Sequence, residues 1–240
     1  MGNCQKFNLS SSLLCDENNA MSPTPDSIKQ MIESSNLGER LSGVNQAREL
    51  DPAAAYPLIV QACHDANVRV RYAAVSQMDS LGDCDRQQTL DLLRQALLND
   101  PEVDVQAAAA DALGGLKLTE AFDDLQTVYD ATTEWLLKFS IVAALGEMGD
   151  TRGFDLLARA IKSDISLVST AAIGALGELG DPRAIPLLLS YLDADDWQVR
   201  HRLAQSLGQF DTSEAKAALE QLSRDPSDTV ADAAKYHMST

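Results

Sequence analysis

Positive charge is scarce in this chain. Nineteen Lys and Arg stand against 36 Asp and Glu over 240 residues, a formal net charge of −17 and a pI near 4.4. Neutralising phosphates requires basic clusters, and none occurs, so nucleic acid is excluded as a partner; anionic lipid is disfavoured for the same reason. No apolar run reaches the ~18 residues of a membrane-spanning helix. Aromatic residues make up only 5%, which disfavours a strand-rich fold. The four cysteines, Cys4, Cys15, Cys63 and Cys84, form no Cys-x-x-Cys, and the three histidines, His64, His201 and His237, are far apart in sequence, so no metal site is expected. Nucleophile-elbow, P-loop and His-Glu-x-x-His motifs are all missing, and no catalytic residue is assigned. The first 20 residues lack a continuous apolar stretch of the secretory kind, so the expected compartment is the reducing cytosol, with free thiols.

What is abundant is alanine and leucine, 33 of each, a composition that favours helices. The sequence also repeats. Anchor residues Val70, Val105, Leu137, Val168, Val199 and Val230 recur at spacings of 35, 32, 31, 31 and 31. In the copy at 165–181, apolar residues fall at Val168, Ala171, Ala172, Ala175, Leu176 and Leu179, one stripe of an amphipathic helix. Gly149-Asp150 and Gly180-Asp181 stop one helix and start the next, and a second apolar helix follows each stop. Units of two helices that cannot bury their own faces must stack. The expected fold is therefore all-α, an α-solenoid or α-α superhelix of about five helix pairs plus caps. It occupies 21–240, with 1–20 as a disordered extension. The four extra residues between Val70 and Val105 add about one helical turn, placed near Cys84–Gln88.

The block V-R-x-x-A-A-x-x-x-L-G-x-x-G-D, at Val70–Asp83, Leu137–Asp150, Val168–Asp181 and less fully Val199–Asp211, resembles the HEAT-like repeat of the phycobilisome lyase family. The third copy departs, with Gln106 in place of Arg and Lys117 in place of Gly. The resemblance implies a cyanobacterial, cytoplasmic protein, placed at its furthest at the cytosolic face of thylakoids. It implies phycobiliproteins or another protein as partner and no resident cofactor, with phycocyanobilin as the ligand class such a protein would meet. Three functions are open to the family. One is a non-catalytic scaffold or adaptor in phycobilisome degradation or remodelling. Another is a bilin lyase-type subunit working with a second HEAT-repeat subunit. The third is a scaffold for iron–sulfur protein assembly.

In arrays of this kind the helix bearing V-R lines the concave face. One residue beyond the anchors stand Arg71, Lys138 and Arg200, joined by Arg40, which follows Glu39 of a degenerate first copy (36–50) 31 residues before Val70, and two beyond stand Tyr72, Phe139 and His201. The functional reading assembles these seven into a binding surface, aromatics stacking on a flat conjugated ligand and cations pairing with its carboxylates. The structural alternative is a ladder in which the arginines pair with turn aspartates, the candidates being Asp65, Asp100, Asp164 and Asp195. Trp135 and Trp197, two residues before their anchors, are expected to wedge between units. Gly174 and Gly177 read as close-packing glycines, Cys63 as buried packing, and Cys84 as the more reactive thiol.

Overall fold

The computed structural model describes residues 23–239. The expected extension 1–20 lies outside them. The described residues form fifteen α-helices joined by short turns and 3-10 segments, with no strand among them. The helices pair in seven units. The first helices of the units form the A layer: α1 (Pro25–Ile32), α3 (Pro52–Ala62), α6 (Arg86–Asn99), α8 (Phe122–Ala131), α10 (Phe154–Ala160), α12 (Ala184–Leu189) and α14 (Ser213–Leu222). The second helices form the B layer: α2 (Leu37–Gln46), α4 (Val68–Val75) continued by α5 (Met78–Leu81), α7 (Val103–Gly115), α9 (Trp135–Met148), α11 (Ser166–Leu179), α13 (Trp197–Leu207) and α15 (Asp228–Ser239). Five central pairs lie between an opening pair and a closing pair. The extra residues of the 35-residue spacing emerge as a longer α6, 14 residues against 10 in α8 and 7 in α10.

Local chemistry sets the boundaries. Asn36, Asn67, Asp85, Asp196 and Thr212 cap the helices that follow them by accepting a backbone N–H. Gly149 (φ 70°) and Gly180 (φ 67°) end α9 and α11 in the left-handed region, where a side chain would be strained. The third copy makes the same stop with Lys117 at φ 52°, the one non-glycine residue in that region among the described residues. Its N–H donates to the carbonyl of Gly114, and that of Leu118 donates to Leu113.

Five of the six anchor residues are buried, Val199 is partly buried against them, and with the small residues that follow they join one continuous core along the stack. Consecutive B helices pack far more closely than consecutive A helices. A methyl group on Gly114 would stand 2.5 Å from Cα of Ala144; at Gly146 it would stand 2.6 Å from Cα of Ala175, and at Gly177 2.7 Å from Cα of Ser206. These backbones touch because one side of each seam has no side chain. A stack that is tighter on one layer curves toward it, so the B layer forms the inner face.

Candidate functional site

Three of the central B-layer elements keep a line of residues open to solvent, spaced by about four residues. On α9 it runs Trp135, Phe139, Ala143, Glu147, and on α13 Trp197, His201, Gln205. Along α4 and α5 it is Tyr72, Ser76, Asp79. The N-terminal ends of these lines are aromatic and unusually exposed: Tyr72 by 48%, Trp135 by 47%, Phe139 by 36% and Trp197 by 45%. The ring of His201 meets Trp197 edge-on at 6.5 Å between centroids. Ile165 and Leu167 at the start of α11 continue the apolar lane between the two tryptophans.

Beside this lane, toward the C-terminal halves of the B helices, runs a second one of carboxylates: Asp79, Asp111, Glu147 and Glu178, on four consecutive repeats. None of the four is in an ion pair among the described residues. Tyr72, Ser76, Asp79, Asp111 and Glu147 line an open pocket of 370 Å³. Loss of hydration pushes the Asp111 carboxyl above its ordinary range, against a hydrogen bond from Ser140. The same cause raises Glu147, followed by repulsion from Glu178, Asp111 and Asp79.

The predicted cations are turned away from this face. Arg40 pairs with Asp65, Arg71 with Asp100 and Arg200 with Asp225, each at 2.7 Å and with 18% or less of either side chain exposed. Arg71 also donates to the carbonyl of Asp65 and Arg200 to that of Ala194, so each guanidinium joins its own turn to the aspartate of the next unit. That aspartate in turn accepts the N–H two residues on, at Asn67, Glu102 and Ser227. Gln106 keeps only the carbonyl link, to Asp100. The ladder uses Asp65 and Asp100 as expected. It uses Asp225 rather than Asp195, whose carbonyl alone reaches Arg200, and Asp164 forms no such pair. The Lys138 ammonium lies 5.4 Å from the Tyr129 ring on α8.

Tyr72, Phe139 and His201 therefore share a face, but their helices alternate with α7 and α11, so they are not brought into one stacking box. Tyr72, Arg71 and Arg200 line three different cavities. Trp135 and Trp197 do not wedge between units: the seams are filled by backbone-to-backbone contact, and about half of each indole stays in solvent. Their spacing of four from Phe139 and His201 was the available signal. The carboxylate lane was harder to find, because its members stand at different offsets from their anchors. Cys63 is buried, which pushes its thiol up to about 12, and Cys84 is exposed. No group of three His, Cys, Asp or Glu is placed to hold a metal ion, and no helix is long and apolar enough to cross a membrane, both among the described residues.

Among solved structures, the complex of CpcE and CpcF of phycocyanin lyase from Nostoc sp. PCC7120 is similar across 99% of both chains, at 21% identity and a TM-score of 0.61. Kap95p, from a complex with RanGDP, is similar over 89% of this chain and 34% of its own, at 15% identity and a TM-score of 0.57. At these identities the likeness shows the fold. A search of curated protein sequences returns no match. The profile of the HEAT repeats matches residues 90–173 and 166–238. Those spans cover more than half of the sequence, and with the stacked helix pairs and the arginine–aspartate ladder they place this chain in the HEAT-repeat family.

Proposed function

We propose that this chain is a non-catalytic binding scaffold that engages phycobiliproteins through the inner face of its solenoid, in the degradation or remodelling of phycobilisomes. The observation that carries the reading is the aromatic lane. A molecule with few aromatic residues leaves Tyr72, Trp135, Phe139 and Trp197 open on one surface of a rigid array, where each could contribute apolar area to a partner. Two further supports come from likeness. The runs 43–53, 68–77, 117–122, 134–150 and 195–208 are similar to the phycobilisome degradation protein NblB. The full-length match to the CpcE–CpcF complex concerns proteins of phycocyanin lyase.

That same match favours a second reading, a lyase-type subunit that acts on chromophore attachment together with a second HEAT-repeat chain. One experiment separates the two. Immobilised protein is mixed with purified phycocyanin, and the resin is washed and read by absorbance, with the bilin–cysteine bond followed by mass spectrometry. The scaffold reading predicts retained blue protein whose bilin stays covalently attached. Loss of the thioether-linked bilin moves the function to the lyase class, and a colourless resin overturns the assignment to phycobiliproteins.

A further inference from the structure

The two lanes differ in what they can accept. The aromatic lane offers apolar area left exposed by the described residues. The carboxylate lane offers four negative charges that form no ion pair among the described residues, held so close that Glu147 feels the other three. The cations predicted for this face are engaged elsewhere, in the arginine–aspartate ladder and over Tyr129. Arg202 borders Glu178 at the α13 end, but from Asp79 to Glu147 an anionic ligand would meet repulsion, whereas a cationic one would relieve it. Spacing narrows the occupant further. Packed helices lie about 8–10 Å apart, so successive carboxylates are offered at about that interval. A helix laid across the B layer advances about 10.5 Å in seven residues, which presents one basic residue to each repeat.

We propose that the inner face is a docking groove for a cationic amphipathic helix of a partner protein, its apolar side on Tyr72, Trp135, Phe139 and Trp197 and its lysine or arginine side over Asp79, Asp111, Glu147 and Glu178. The proposal rests on the reading that this face receives a protein, and adds the charge and shape of the segment that lies there. Association of this kind combines apolar anchors with electrostatic complementarity, the first setting most of the affinity and the second the register and orientation.

The test uses the full chain and a helix-forming peptide of about 20 residues, with leucine on one face and lysine beside it at heptad spacing. The comparison peptide carries glutamate in place of lysine. Trp135 and Trp197 are the only tryptophans in the sequence and both lie in the lane, so intrinsic fluorescence reads occupancy directly. The lysine peptide should shift tryptophan emission to the blue and bind at least about tenfold more tightly than the glutamate peptide, a difference that added salt reduces. Combining Asp111→Asn with Glu147→Gln should weaken the lysine peptide about fivefold and leave the helical circular dichroism unchanged. Equal binding of the two peptides, unmoved emission, or an unaffected double variant would each overturn the proposal. Phycocyanin retained by a protein that ignores the lysine peptide rejects this inference and leaves the function standing. Peptide binding without phycocyanin retention does the reverse.

Discussion

Arg71 holds two units together with one side chain. Its guanidinium donates to both oxygens of Asp100 at 2.7 and 2.9 Å and to the carbonyl of Asp65 at 3.0 Å. Arg71→Gln keeps reach to the carbonyl, as Gln106 does, and strands the aspartate. It should cost about 2–3 kcal/mol of unfolding free energy, because a mostly buried charge loses its partner. Urea unfolding checks this, and a loss within error of zero would make the ladder a surface ornament. Reversing Arg71 and Arg200 to Glu together should disrupt the fold before it affects any partner. The pH dependence has two parts of opposite sign. The Arg200 guanidinium holds Asp225 below the ordinary carboxylate range. At Asp100 burial works upward, but Arg71 and the Glu102 N–H outweigh it and the net shift is downward. These groups contribute stability above the unfolded carboxylate value of about 4, which is lost as pH falls through their lower folded values. Asp111 and Glu147 are raised, so their folded forms take up protons first, and stability grows as pH falls from neutral toward that same value. The protein should therefore be most stable in mild acid. Glu147→Gln should gain a few tenths of a kcal/mol at neutral pH, a small effect because solvent screens an exposed group, and should flatten the rise measured in urea melts across that range.

The helices themselves were legible because their signals are local and periodic. The anchors, the small residues three and four positions on, and the Gly-Asp stops each have a cause within a few residues. Lys117 shows how far this goes. The sequence marks it as a departure where glycine is expected, and the backbone still takes the left-handed conformation there, at φ 52°. Lys117→Gly should therefore stabilise the protein by about 1 kcal/mol, read as a rise in thermal midpoint, and no gain would mean the turn is held in place without strain. Gly146→Val should do the opposite. Even its first carbon would stand 2.6 Å from Cα of Ala175, forcing α9 and α11 apart at a cost of about 1–3 kcal/mol. What the sequence left open is which of two destinations a side chain takes once helices are stacked: it offered the arginines both a binding surface and a ladder to Asp65 and Asp100, and the structure takes the ladder. Arg40, Arg71, Lys138 and Arg200 share a helical offset with one another but find partners 25, 29, 9 and 25 residues away. Trp135 and Trp197 stay open because their seams need no filler.

At the scale of the whole molecule, one asymmetry gives the array its working surface. The B helices approach backbone to backbone and the A helices do not, so the stack bends and sets the open lines of its B helices side by side. Apolar ends fall beside apolar ends and carboxylates beside carboxylates, although the members of each lane are up to 125 residues apart. The composition foreshadows the second lane in its excess of acid, but only the stacking shows that four of those charges gather outside any ion pair among the described residues. The most direct test of the account replaces Tyr72, Trp135, Phe139 and Trp197 together with serine and measures phycocyanin retention beside the unaltered protein. All four side chains are exposed, so the helical circular dichroism should be unchanged, and retention should fall at least about tenfold, in keeping with aromatic anchors that carry most of an interface. Undiminished retention by the quadruple variant would contradict the account and move the binding surface off the inner face.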